Sequence, residues 1–238
     1  MMMNSEIIMS PVIYIGNISI ALAIGLSLFG IIVYYTARRI DSSNSAALGR
    51  AAIYGNFVLM TVANLAMVYA LLSDDFGVSY VAHVGARETP RWVSAISLWS
   101  SLEGSILFWG FLLSAYSAVC VYLYREKEEK LLCWTGLTLL AVQLFFYLLL
   151  AFPANPFGTV FPVPENGPGP NPLLQNHWLM AIHPPCLYMG YIGFTIPFAF
   201  AIAALLEKDL SGAWLPLTRK WTLFAWSFQS LAIMLGAW

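Results

Sequence analysis

The stretch NHWLMAIHPPCLYMGY, residues 176–191, sets His177 and His183 six positions apart, with Pro184 and Pro185 directly behind the second imidazole. A neutral imidazole can ligate a metal or a haem iron through one ring nitrogen while the other donates to a neighbour. Prolines are tolerated where a helix begins, because the first N–H groups have no intrahelical partner. A helix starting near Pro184 is therefore expected, with His183 at its cap and facing the mouth of a bundle. The same position also suits a histidine that only bonds a loop carbonyl. Residues six apart do not share a helix face, so His177 and His183 are not expected to form a two-histidine clamp. The remaining histidine, His83, lies in a separate loop and could approach either in space.

Glu103 is the second residue with chemical potential. In SLEGSILFW it stands inside an apolar segment with no adjacent base. A charge well inside a bilayer costs on the order of 2.5–3.5 kcal/mol or more, so such groups usually face a bundle interior or cavity. Gly104 and Ser105 beside it leave room for close approach of another element. Tyr188, Gly190, Tyr191 and Gly193 put phenols and small residues along the run after His183, a pattern that helix packing also explains. The three cysteines, Cys120, Cys133 and Cys186, sit in apolar segments without a CxxC pair and read as small core residues. No Gly-rich phosphate loop, HExxH or GxSxG motif occurs, so soluble-enzyme catalysis is not indicated.

The elements that must position these residues are membrane-spanning. The 238 residues are 60% hydrophobic and only 10% charged, against about 25% charged in soluble domains. A net charge of −1 gives no basic surface for nucleic acid. Six apolar segments, roughly 13–36, 52–72, 93–124, 131–151, 178–206 and 221–238, predict an all-α integral membrane protein, a bundle of about six helices forming one module over 1–238. The third is too long for one perpendicular span, so RWVSAISLWSSLEGS reads as an interfacial lead-in. The first is too long for a cleavable signal peptide and lacks a basic leader.

Lysines and arginines fix the expected orientation. Nine fall in loops about 37–51, 125–130 and 207–220: Arg38, Arg39, Arg50, Arg125, Lys127, Lys130, Lys208, Arg219 and Lys220. Only Arg87 and Arg91 fall on the other side. Positive residues stay on the side of synthesis, so both termini and the loops 73–92 and 152–177 are expected on the opposite, outer face. The second outer loop holds seven prolines between 152 and 177 and cannot be a regular helix throughout. Its Phe157, Val160, Phe161 and Val163 predict an ordered loop packed over the outer mouth.

Beyond these physical readings, NPFGTVFPVPENGPGPNPLLQNHWLMAIHPPCLYMGYIGFTIPFAFAIAALL resembles the signature region of the cytochrome c maturation haem lyase subunits, the CcmF family, with its NPF, its P-x-x-G-x-G-x-NPLLQ loop and its HPP-x-LY-x-GY-x-GF run. SLWSSLEGSILFW is similar to that family's W-x-x-x-EGS-x-x-x-W segment, and RKWTLFAWSFQSLAIMLGAW to the helix leading into its tryptophan-rich WWD segment. The resemblance implies an axial haem-ligand role for His183, with the iron as the metal. It places Glu103 in the EGS motif and sets Trp238 at the brink of the haem platform, and Tyr188 and His177 are further candidates for cofactor contact.

It implies as cofactor a haem b awaiting transfer, with a resident haem b ligated outside this chain. The implied partners are a CcmE-type haem chaperone, apocytochrome c, CcmH- or CcmI-type lyase subunits and, if the gene is split, a companion chain carrying the WWD segment. The implied place is a bacterial or mitochondrial inner membrane. A small-solute transporter would instead place polar groups at the bilayer midplane, often in repeated halves. A structural subunit would use its histidines only as caps.

Overall fold

The computed structural model describes residues 10–40, 42–126, 129–209 and 211–238. Two 30-residue helices, α1 (Pro11–Ile40) and α2 (Ser43–Leu72), form an antiparallel hairpin. Pro11 opens α1, where its missing N–H costs nothing, and Ser10 Oγ accepts from the Val12 amide at 3.2 Å. Arg38 and Arg39 close α1 at the end favoured by its dipole. Ser42 then caps α2, accepting from Ser45 N at 3.3 Å. Most of the expected inner loop 37–51 is therefore helical, 37–40 in α1 and 43–51 in α2.

The chain continues through α3 (Ser79–Val84), α4 (Arg91–Ile96), a 3₁₀ turn (Ser97–Trp99) and α5 (Leu102–Tyr124). The long third segment is thus a short lead-in helix, a break and a span. It is followed by α6 (Glu129–Ala151), α7 (Pro172–Asn176), α8 (Leu179–Gly193), α9 (Thr195–Glu207) and α10 (Leu215–Ala237). Lys127, placed in the inner loop 125–130 by sequence, lies outside the described residues.

Among the described residues, five stretches are long and apolar enough to cross a membrane: α1, α2, α5, Lys130–Ala151 and the α8–α9 stretch Leu179–Glu207. The sixth expected segment folds as α10, 23 residues long. Arg219, Lys220 and Gln229 leave it less apolar than the five.

A polar latch holds the bundle at mid-depth. Asn56 Nδ2 on α2 donates to Ser27 Oγ on α1 at 2.9 Å and to Gln143 Oε1 on α6 at 2.8 Å. Tyr147 Oη, one turn along α6, donates to the same Gln143 oxygen at 3.3 Å. All four side chains are fully buried, and in an apolar interior such bonds cannot be exchanged for water.

At one end, the loop face, the two long connections knit together. Ser79 N donates to Gly158 O at 2.8 Å, Gly169 N to Gly85 O at 3.0 Å, and Arg87 Nε to Glu165 O at 2.9 Å. Phe157 is fully buried against α1 at Gly16. Asn17 Nδ2 donates to the Phe157 carbonyl at 3.0 Å, and Asn155 Nδ2 to Asn17 Oδ1 at 2.9 Å. The ordered proline loop is as expected, but its apolar residues divide. Phe157 enters the core, whereas Phe161 is 78% exposed and Val163 is also exposed, because the hollow beside Gly16 takes one ring.

Candidate functional site

The histidine turn is built by α8 and α10. Gly193 faces Ala225, Gly190 faces Gln229, and His183 faces Ala232 and Gly236. The numbers fall on one helix as they rise on the other, so the pair is antiparallel, and small residues let it close tightly. A Cβ added at Gly236 would come within 2.8 Å of His183 Cε1.

His183 is not a cap. α8 begins at Leu179 and carries Pro184 and Pro185 in its interior, which makes His183 its fifth residue. The expectation of a helix start near Pro184 is therefore corrected. The helix begins a turn earlier because a side chain from elsewhere occupies the carbonyl that Pro184 leaves unbonded: Trp99 Nε1 reaches Met180 O at 3.4 Å.

His183 is half-buried, and its Nδ1 lies 2.9 Å from Ala232 O. A carbonyl can only accept, so the bond takes a proton on Nδ1, and in the neutral tautomer this leaves the lone pair on Nε2. That is the arrangement of an axial iron ligand whose second nitrogen is oriented by backbone. Among the described residues no group of three or more His, Cys, Asp or Glu could hold a bare metal ion. A single imidazole with one nitrogen held by backbone would suit an ion whose remaining ligands come with it. Beside this turn, His177, Trp178, Leu179 and Trp238 border a cavity of about 170 Å³. Trp178 and Trp238 meet edge to face, 6.3 Å between centroids. Pockets for drug-sized ligands run to about 300–1,000 Å³, so this is an aromatic ledge beside the histidine rather than an enclosing pocket.

The other residues singled out in the sequence fall in different places. His177 is exposed, in the link between α7 and α8, with its side chain on the ledge and its carbonyl accepting from Met180 N at 3.0 Å. Trp238 is 85% exposed. His83 is exposed on α3, in the other loop of the same face.

Glu103 occupies the first turn of α5, where a carboxylate complements the helix dipole, and accepts from Ser101 Oγ at 3.0 Å. Tyr188 lies five residues beyond His183, about 140° around the helix. It faces α5, with its hydroxyl donating to Ser105 Oγ at 3.1 Å and its ring 5.5 Å from Trp109. The structure thus brings His183, His177 and Trp238 to one side of α8 and sets Tyr188 and Glu103 apart from them.

Gly104 has no room for a side chain, since a Cβ there would overlap the Leu98 carbonyl and the Tyr80 hydroxyl. Burial pushes the Tyr80 phenol well above its ordinary range, so it stays a neutral donor, shared between Ser97 O (2.8 Å) and Leu98 O (2.9 Å). Arg91 Nη1 bonds Leu72 O and Asp74, and Arg87 bonds Glu165 O, so both loop-face arginines have partners close at hand. Sequence reasoning missed Ala232, Gly236 and Trp99. The small residues Ala225, Ala232 and Gly236, spaced 7 and 4 apart, were the available signal for the first two.

Comparison with known proteins places this site in a family. Residues 99–238 match the family model described as Cytochrome C assembly protein. The cytochrome c-type biogenesis protein CcmF of Haemophilus influenzae is 35% identical over 225 residues, covering 94% of this chain and 35% of that protein. CcmF of Escherichia coli is 36% identical over 232 residues, covering 94% and 35%. A solved structure titled Cytochrome c Heme Lyase CcmF superposes with a TM-score of 0.78 at 32% identity, covering 92% of this chain and 34% of that one. The chain spans about a third of the length of the relatives it matches. With the signature region, the apolar helices and the histidine turn all in the matched part, the chain is a multi-pass membrane protein and belongs to the cytochrome c assembly protein family.

Proposed function

We propose that this chain is part of a cytochrome c haem lyase and that His183 is an axial ligand to the haem being transferred. The observation that carries this reading is the contact of His183 Nδ1 with Ala232 O, which in the neutral ring leaves the lone pair on Nε2. The similarity to CcmF proteins supports the same reading. In it, the loop face lies opposite the side of synthesis, a placement that the distribution of lysine and arginine supports. The membrane is a bacterial or mitochondrial inner membrane.

The haem is a haem b handed over by a CcmE-type chaperone, and CcmH- or CcmI-type subunits bring the apocytochrome. Further sequence carrying a WWD segment completes the platform, and the resident haem b has its ligands outside these 238 residues. When bound, haem supplies the vinyl groups to which cytochrome thiols add. This chain's own contribution is position. His183 fixes the iron from one side, its tautomer set by α10. Trp178 and Trp238 offer apolar edges beside the plate, and the knitted loops hold the mouth in shape.

Reduced and oxidised spectra of the full-length protein loaded from the chaperone, wild type against His183→Ala, test this. Selective loss of the six-coordinate signature of the transferred haem, with resident haem retained, is expected. An unchanged spectrum with cytochrome maturation intact would leave His183 a residue that only ties α8 to α10.

A further inference from the structure

Two prolines in succession remove two ladder bonds from α8 immediately after His183. Such a break ordinarily kinks or loosens a helix. Here it is bridged from outside. Trp99 Nε1 donates to Met180 O, the carbonyl that Pro184 cannot serve, at 3.4 Å. On the far side of the prolines, Tyr188 Oη donates to Ser105 Oγ at 3.1 Å. Ser105 Oγ in turn donates to Trp99 O at 3.3 Å.

The three bonds close a circuit between residues 99–105 and residues 180–188, and the proline pair lies inside it. Aromatic packing holds both ends, with Trp99 5.6 Å from Phe108 and Tyr188 6.3 Å from the same ring. The 97–105 segment is itself pinned. The Tyr80 hydroxyl donates to the carbonyls of Ser97 and Leu98 and accepts from Ser101 N, a contact that Gly104 alone leaves room for.

We infer that residues 99–105 form a splint across the proline break of α8 and that Trp99 and Ser105 are positioning residues for His183. They act through the backbone of α8 and not by touching the haem. The splint fixes the turn from the α5 side while Ala232 O fixes the imidazole from the α10 side. Its consequence for haem rests on the ligand role proposed for His183, whereas its existence does not.

Amide exchange in the haem-free, full-length protein in detergent tests the splint itself, comparing wild type with Trp99→Phe, Ser105→Ala and Tyr188→Phe. Tyr188→Phe loses only the hydroxyl, and Trp99→Phe keeps an aromatic ring while losing the donor and part of the indole's volume. Exchange at Cys186–Tyr188 is expected to accelerate roughly fivefold for each bond lost, with α1, α2 and α6 unchanged. Wild-type exchange in all three variants, or equal acceleration throughout the bundle, overturns the splint.

Haemin titration of the same proteins then tests positioning. The low-spin fraction is expected to fall between those of wild type and His183→Ala. Accelerated exchange with wild-type spectra in all three variants overturns the positioning role. A wild-type spectrum for His183→Ala itself overturns the ligand reading and leaves the splint to be judged by exchange alone.

Discussion

His183 Nδ1 lies 2.9 Å from the backbone carbonyl of Ala232, a residue 49 positions later on a different helix. One ring nitrogen is thereby assigned to the protein and the other released. The partner is a carbonyl, so no side-chain substitution at 232 removes it directly. The arrangement depends on how closely α10 lies against α8, and Gly236 sets that distance.

Gly236→Ala would insert a methyl within 2.8 Å of His183 Cε1. Either the ring turns or the helices part by a few tenths of an ångström, and in both cases the Nδ1 bond lengthens. The expected outcome is a protein that still inserts and folds, at a cost of about 1–3 kcal/mol, but binds haem with a reduced six-coordinate fraction. Visible and EPR spectra of the loaded protein check this. A spectrum identical to wild type would show that the close approach at Gly236 does not control the imidazole.

Phe157→Ala would empty the hollow beside Gly16. The side chain is fully buried, and truncating such a residue costs about 3–5 kcal/mol. The proline loop should also come loose, because Asn17 and Asn155 hold it through bonds that depend on Phe157 being seated. Limited proteolysis between 158 and 170 should accelerate along with the loss in thermal stability. Phe161→Ala, at an exposed position, should leave both unchanged.

The seam between the two loops should respond to acid. Asn166 Nδ2 donates to both carboxylate oxygens of Glu88, at 3.2 and 3.0 Å, and this holds Glu88 below its usual range. A depressed carboxylate contributes stability that is present above its unfolded value, about 4.3, and is lost as pH falls through the folded one. Amide exchange of Glu165, Asn166, Gly167 and Gly169, taken relative to its intrinsic rate, should therefore be flat from pH 7 to about 5 and accelerate below about pH 4. Glu88→Gln should abolish that extra acceleration. Since the group is exposed, overall unfolding should scarcely change.

Much of this arrangement was legible in the chain. Runs such as IYIGNISIALAIGLSLFGII and the positions of arginine and lysine define the helices. The proline-rich stretch announces an irregular loop, and the HPP motif singles out His183. What escaped depends on long-range pairing. Pro184 predicts a helix start only if Met180 O lacks a donor, and the donor is Trp99, 81 residues away. Phe157 and Phe161 have the same local character, yet only the first meets the space beside Gly16. Glu103 looks like a charge in an apolar run, but the break at Ser100–Ser101 turns its position into the first turn of α5.

The buried amides of Asn56 and Gln143 have a consequence for how the protein sits in its membrane. At 1.5 Å per residue, α1 and α2 are each about 45 Å long, well beyond a hydrocarbon core of about 30 Å. Helices of that length usually meet a thicker or thinner bilayer by tilting independently or sliding past one another. Pinned to each other and to α6 halfway along, these can only lean together. A change in lipid thickness is therefore expected to tilt α1, α2 and α6 as one unit, carrying along the proline loop that Asn17 and Phe157 fasten to α1.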